Sequence, residues 1–435
     1  MISSKFSIKL LNHASALLKI DELTLLTDPW YEGTCFRGGW GLQYLNPQAF
    51  EDAVQSTHLW ISHFHGDHLH LPTLRRIAER RPDLRAFANV SANFDMTRPL
   101  KEAGFKNITP LYERAPVQLS KDIRITRYPS TGIDNMLAVH GFGRTFLNFN
   151  DCNMPAAAMK AILKKIGPID VLFTNFNHAY KLIDAPSDEE VKQTLRQRFL
   201  RIVETANPTW VVPFASMHYY RAKVTFGQND SMLTSPDLVR LSSKTLALSI
   251  GDEVVFDKDF QPIFKRFEPP LLRSGPEIKE HKGSVGWPAL LEAAEKFRKN
   301  ICREFLGLTF WLRPLGILVE DLGRVLTVVP RKGIFEESDG KTADIAMHSE
   351  ALLDWFTKPF GTDAFFVGAD FRVTNPATTA LHKLILAGEF VENGLAPRQV
   401  LQMLLTLKGF GFFWNRREEI WATLSQGRIK VGYRL

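Results

Sequence analysis

Three imidazoles and a carboxylate fall within six consecutive positions, His63-Phe64-His65-Gly66-Asp67-His68. Neutral imidazole and carboxylate are what zinc, iron or manganese take as ligands. The stretch follows the apolar run Leu59-Trp60-Ile61. If that run is a strand, the four side chains sit on the tight loop leaving its end and converge on one point. Four of the chain's 12 histidines lie between positions 63 and 70, a density that favours a metal cradle over chance or a helix cap. Within it, His65 and Asp67 are the candidate catalytic residues, with Asp67 either on the metal or acting as base.

The remaining ligands should come from elements built like the first, a strand with a polar residue just past its end. Asp151, His178 and His218 each stand one to five residues beyond an apolar run. Side chains at strand ends on one rim of a sheet can meet in space. Each has another reading. Asp151 could cap the helix starting near Pro155, His178 could be a surface or supporting histidine, and His218 could serve a pocket or interface beside Tyr219 and Tyr220. Around these, His13, Asp28, Trp30 and Arg37 are expected to support the ligands or meet substrate. Arg37, Lys181 and Arg221 are candidate anion contacts, each equally readable as ordinary surface charge.

A chain of 435 residues exceeds what one core usually supports, so two domains are expected. The first, 1–264, reads as strands and helices in alternation. The paired strands near Phe6 and Ala16 lead to Asp28-Pro29-Trp30, and a Gly- and aromatic-rich loop follows from Tyr31 to Tyr44. Those rings could wall a substrate site or pad the core. Pro155–Gly167 carries Pro at its start and Gly at its stop, the marks of a helix. Ser187-Asp-Glu-Glu190 is a capping box opening a long helix. A Pro-, Gly- and charge-rich linker, 265–287, separates this unit from a smaller α+β domain, 288–435. There, strands are expected at Leu308–Leu312 and Ala364–Val373, and a helix at Ser349–Phe356. The apolar segment from Val400 to Trp414 suits core packing or a homodimer interface.

The net charge of +7 is small for this length. It suits an anionic substrate and is too diffuse for nucleic acid. No apolar run reaches the roughly eighteen residues needed to span a membrane. The amino terminus lacks the profile of a signal peptide, and Cys35, Cys152 and Cys302 are too few and scattered for a disulfide framework. A cytoplasmic protein is expected.

The H-x-H-x-D-H loop, with Asp28 before it and Asp151 after a strand, resembles the metallo-β-lactamase superfamily. That resemblance implies a four-layer αββα sandwich with one or two metal ions on its rim. Asp28-Pro-Trp…Phe36-Arg-Gly-Gly-Trp40, Ile61-Ser-His-Phe-His-Gly-Asp-His-Leu…Pro72-Thr-Leu, Leu147-Asn-Phe-Asn-Asp-Cys152 and Val212-Pro-Phe-Ala215 are similar to the CMP-N-acetylneuraminate hydroxylases. Those enzymes carry a Rieske iron–sulfur domain, which needs two Cys-x-His pairs. None of the three cysteines here has His two residues on, so electrons would come from a separate partner. The superfamily's third histidine of the first metal site is expected after Tyr128, where this chain has Pro129-Ser130-Thr131-Gly132, with Asp134 and His140 the nearest candidates. The second domain's element order resembles sterol-carrier-like domains. The expected function is an iron-dependent hydroxylase of an anionic metabolite such as a nucleotide-linked sugar. A zinc hydrolase of a phosphodiester, lactone or amide is the alternative, and a non-catalytic metal-binding scaffold the third; manganese is a further candidate metal.

Overall fold

The computed structural model describes residues 6–130, 134–152, 154–179, 187–267, 272–273, 277–337, 343–376 and 378–425. Lys181 lies outside them, as do Thr131 and Gly132.

Two sheets form the heart of the first half of the chain. One has eight strands, in the order Pro262–Lys265, Glu253–Phe256, Phe6–Asn12, Ser15–Ile20, Leu23–Thr27, His58–Ile61, Arg85–Asn89 and Ile108–Leu111. The other has six, from Pro116–Gln118 through Ile123–Pro129, Asn135–Gly141, Arg144–Asn150 and Val171–Thr174 to Trp210–Pro213. Ile8, Leu18 and Trp60 from the first sheet and Leu137, Phe146 and Phe173 from the second meet in one apolar layer. The outer face of the first sheet is covered by helices Leu71–Arg80 and Thr97–Ala103, which bury Leu74, Ile77 and Leu100. Helix Ala156–Ile166 covers the second, burying Met159 and Ile162. Helix Asp188–Ala206 lies beside it and opens on the Ser187–Glu190 capping box. The result is the αββα sandwich that the superfamily resemblance implies.

Leu23–Thr27, His58–Ile61 and Arg85–Asn89 run parallel, as do Arg144–Asn150, Val171–Thr174 and Trp210–Pro213. Their carboxyl ends open on one rim, the usual place for a site in parallel sheets. There the backbone is strained: His13, Asp28, Asn150 and Ala215 all have positive φ (24°, 36°, 59° and 52°). Non-glycine residues rarely adopt this conformation, and such strain collects at functional sites.

At the opposite end of its strand, His58 stacks on Phe87 with ring centroids 5.5 Å apart. Burial first, then the nearby Arg85, holds its imidazole down at about 4. An unfolded imidazole titrates near 6.5. The neutral ring therefore contributes its full stability above pH 6.5, and this is lost as pH falls from 6.5 toward 4. Urea unfolding at pH 7.5 and 5 should show a smaller acid loss in His58→Gln than in the parent chain. An equal loss in both would show that His58 is not the group responsible.

The second half packs helices Trp287–Glu304, Ser349–Thr357 and Ala380–Glu392 on a five-stranded sheet. Its order is Gly333–Glu337, Arg324–Val329, Leu315–Val319, Ile345–Met347, Arg372–Val373. Two expected strands differ. Leu308–Leu312 is irregular, because left-handed Leu306 and Gly307 (φ 54° and 75°) turn the chain back; Leu312 is buried there, while Leu308 and Phe310 stay exposed. Residues 361–368 form a helix, and only Arg372–Val373 is strand. An unbroken apolar run suits either state. The helix wins because it stacks Phe365 on Trp355 (centroids 4.0 Å apart). Helix Leu407–Ser425 returns to the first half of the chain, where Arg416 meets Glu113 and Phe412 is buried. Leu407, Phe410, Trp414 and Trp421 are exposed on it. No described helix is long and apolar enough to cross a membrane.

Candidate metal centre

Strand His58–Ile61 ends at Ser62, and the H-x-H-x-D-H loop turns there against Asn89, whose amide donates to Ile61 O and Ser62 O at 3.0 and 2.6 Å. Two ligand-type clusters result. His63, His65, Asp134 and Asp151 bring one donor atom each within 4.8 Å of one another, and His13, Asp67 and His68 do the same. Asp151 joins them: its Oδ2 lies 3.7 Å from His63 Nε2 and 3.5 Å from His68 Nε2. That carboxylate stands between the two clusters.

The outer partners of these histidines set which nitrogen faces inward. Asp28 is wholly buried, receives Ser62 N–H and Oγ–H at 2.7 Å each, and sits 2.9 Å from His68 Nδ1. A proton on Nδ1 donated to Asp28 leaves His68 Nε2 toward Asp67 and Asp151. His63 has Ser62 Oγ 2.9 Å from its Nδ1, and its Nε2 lies 2.7 Å from His65 Nδ1. A carboxylate or hydroxyl behind a ligating imidazole orients the ring and raises its basicity.

The electrostatics match a cation. Burial, then the Asp151 charge, raises the Asp134 carboxyl to about 7, whereas the surrounding histidines hold Asp151 well below the usual range against its own burial. Burial opposes charge on His65, but Asp363, Asp134 and Asp151 lift it to about 10. Burial would raise Asp67, yet His68 and His13 draw it well down. Four buried atoms of these side chains, His13 Nδ1, Asp67 Oδ1, His68 Nε2 and Asp151 Oδ1, have no hydrogen-bond partner. Each such orphan costs about 1–3 kcal/mol, which a bound divalent ion relieves. Imidazole and carboxylate in this mixture fit a transition metal.

Not every expected ligand joins. Both ring nitrogens of His178 are engaged elsewhere, Nδ1 2.9 Å from Tyr220 OH and Nε2 3.0 Å from Ser231 Oγ. His218 lies flat on Trp40, centroids 3.5 Å apart, and 5.5 Å from the His13 ring. It stands beside the second cluster, with both ring nitrogens buried and without a hydrogen-bond partner. His140 bonds Thr145 Oγ1 at 3.1 Å. It stands six strand residues from Asp134, about 20 Å away at strand rise. Ser130 is buried and bonded to the Cys152 side chain. Trp30 packs edge-on to His13 (5.4 Å). Arg37 is exposed on the aromatic loop. Arg221 spends its guanidinium on Gly38 O and Glu277.

One neighbour escaped the sequence reading. Asp363, from helix Gly361–Gly368, places Oδ1 3.3 Å from His65 Nε2. Its apolar surroundings read as a buried strand, so nothing local marked it. A third cluster, His281, His348 and Glu350, is already paired: His281 lies 3.3 Å from Glu350 and 3.2 Å from Asp370.

No protein-family model matches the chain. The cytidine monophosphate-N-acetylneuraminic acid hydroxylase of Asterias rubens is 26% identical over 281 residues, 57% of this chain and 42% of the relative. The chain thus spans less than half of that relative's length, and the match bears out the resemblance carried by the motifs. Among solved structures, the diiron β-hydroxylase CmlA of Streptomyces venezuelae is 16% identical, covering 58% of this chain and 54% of its own (TM-score 0.41). A metallo hydrolase of Ignicoccus hospitalis is 15% identical, covering 58% and 99% (TM-score 0.41). At those scores neither carries chemistry over to this chain.

Proposed function

We propose that the chain is a metal-dependent, hydroxylase-like enzyme that uses iron, acts on an anionic metabolite of the nucleotide-linked sugar class, and receives electrons from a separate protein. The observation that supports it best is the make-up of the first cluster. With Asp134 beside His63, His65 and Asp151, the donors are two imidazoles and two carboxylates. Zinc hydrolase sites of the three-histidine kind differ from this, and mixed imidazole–carboxylate shells are characteristic of non-haem iron. The likeness to a hydroxylase over more than half of the chain points the same way.

In this reading His63, His65, Asp134 and Asp151 hold one ion, and Asp67, His68, His13 and Asp151 a second. When bound, iron supplies oxygen activation there, and zinc would supply hydroxide from water. The residues around them do the rest. Asp28 and Ser62 fix the tautomers of His68 and His63. Trp30, Phe36 and Trp40 exclude water from one wall, and Trp40 holds His218 beside His13. Arg37 offers the exposed positive charge that an anionic substrate needs. Asp67 Oδ1, which has no hydrogen-bond partner, is the acceptor placed to take a proton if it is not itself on the metal.

The placement of Asp151 between two clusters equally suits a two-metal hydrolase, so metal identity decides. Metal analysis of protein as isolated, with oxygen uptake measured on reduction and addition of CMP-N-acetylneuraminate, is the test. Iron with substrate-dependent uptake is expected. Zinc alone, no uptake, and turnover of a phosphodiester or lactone lost in His65→Ala would replace this reading with the hydrolase. No stoichiometric metal after anaerobic iron loading would leave a scaffold.

A further inference from the structure

Two of the three loop histidines take their outer partners from the first domain, Ser62 behind His63 and Asp28 behind His68. His65 does not. Its Nδ1 faces His63 Nε2 at 2.7 Å, and its Nε2 points the other way, to Asp363 Oδ1 at 3.3 Å. We propose that Asp363 is a positioning residue supplied by the second domain. Its carboxylate accepts a hydrogen bond from His65 Nε2–H and fixes the tautomer that leaves Nδ1 for the metal, so the centre is complete only with the second domain docked. The inference rests on the metal-binding reading above.

The seam is built to hold that aspartate in place. Glu392, on helix Ala380–Glu392, accepts the Thr362 and Asp363 backbone N–H groups at 2.8 and 3.2 Å, pinning the first turn of the Asp363 helix. At its last turn, Gly368 touches the metal-side loop so closely that a Cβ there would stand 2.7 Å from Phe36 O, and one on Gly39 would stand 2.5 Å from Gly368 Cα. Trp40 Nε1 donates to Val367 O at 3.0 Å. Phe64, next to His65, stacks on Phe360 with centroids 5.5 Å apart. One end of the helix is therefore held at Phe64, beside His65, and the other against the Phe36–Trp40 loop, with Asp363 between them. A surface carboxylate meeting a histidine by chance would need none of these contacts. Asp363 reaches no metal-facing atom of the cluster, which is why its role is to orient.

The test is zinc affinity of the full chain, measured by chelator competition with Zn2+ alone, together with the visible spectrum of the Co2+-loaded protein. Asp363→Asn is isosteric; Asp363→Ser gives the same test should the amide pack badly. Removal of an outer carboxylate typically weakens metal binding about 10–100-fold. That loss is expected in either variant, with an altered Co2+ spectrum, unchanged melting of the metal-free protein, and partial recovery in Asp363→Glu. Affinity within twofold of the parent and an unchanged spectrum would overturn the proposal while leaving the metal reading intact. A parent chain that binds neither ion would overturn the metal reading itself.

Discussion

Asp151→Ala should abolish stoichiometric metal at both clusters at once, whereas Asp134→Ala should weaken the first alone. The reason is position. Asp151 Oδ2 is within 3.7 Å of His63 Nε2 and 3.5 Å of His68 Nε2, while Asp134 Oδ1 approaches His63 at 3.6 Å and belongs to the first cluster. Loss of a direct ligand should exceed the about 10–100-fold effect of an outer partner. Thermal melts give an independent reading, because a ligand that binds only the folded chain stabilises it by about 2.7 kcal/mol when present at a hundred times its Kd. Added metal should raise the melting temperature of the parent by several degrees and that of Asp151→Ala not at all. An equal rise in both would remove Asp151 from the set of ligands.

The second large effect lies away from the metal. Arg127 is fully buried on strand Ile123–Pro129, and its only charge partner among the described residues is Glu113, at 3.0 Å. Glu113 also receives Ser91 Oγ–H at 2.6 Å and Arg416, from the last helix, at 2.6 Å. Burial pulls the Arg127 guanidinium down to about 9 even with that carboxylate beside it. Glu113→Gln leaves two buried guanidiniums, Arg127 and Arg416, without a counter-charge and loosens the last helix, so a loss of about 3–5 kcal/mol is expected in urea unfolding. Replacing Arg127 by Met in the same chain should return part of that loss, since one stranded charge is then gone. A single variant that melts like the parent would show that water reaches the triad.

How much of this was legible beforehand follows from the range of each interaction. His63, His65, Asp67 and His68 lie on one tight loop, so their spacing alone brings them together wherever the loop sits. Asp28 and Asp151 were readable because each directly follows an apolar run, and parallel strands deliver their ends to one rim. The same rule pointed to His178 and His218. It places a residue near the rim but says nothing of its rotamer, and Tyr220, Ser231 and Trp40 decided those two rings. Asp134 and His140 were even choices in the sequence; strand rise separates them, because a pleated chain moves six residues far from the site.

By itself, then, the sequence determined that a metal-ligand loop follows an apolar strand and which acids of the first half stand nearby, and its motifs carried the resemblance that implied an αββα sandwich. The loop and the acids depend on local spacing and on the alternation of strand and helix. Only the tertiary structure decided that 361–368 is a helix, that Gly39 and Gly368 let it close on the metal loop, and that Asp363 stands behind His65. Helix and strand compete evenly in a short apolar run; the stacking of Phe365 on Trp355 decided for helix, and the contacts of Asp363 and Gly368 join residues far apart in the chain.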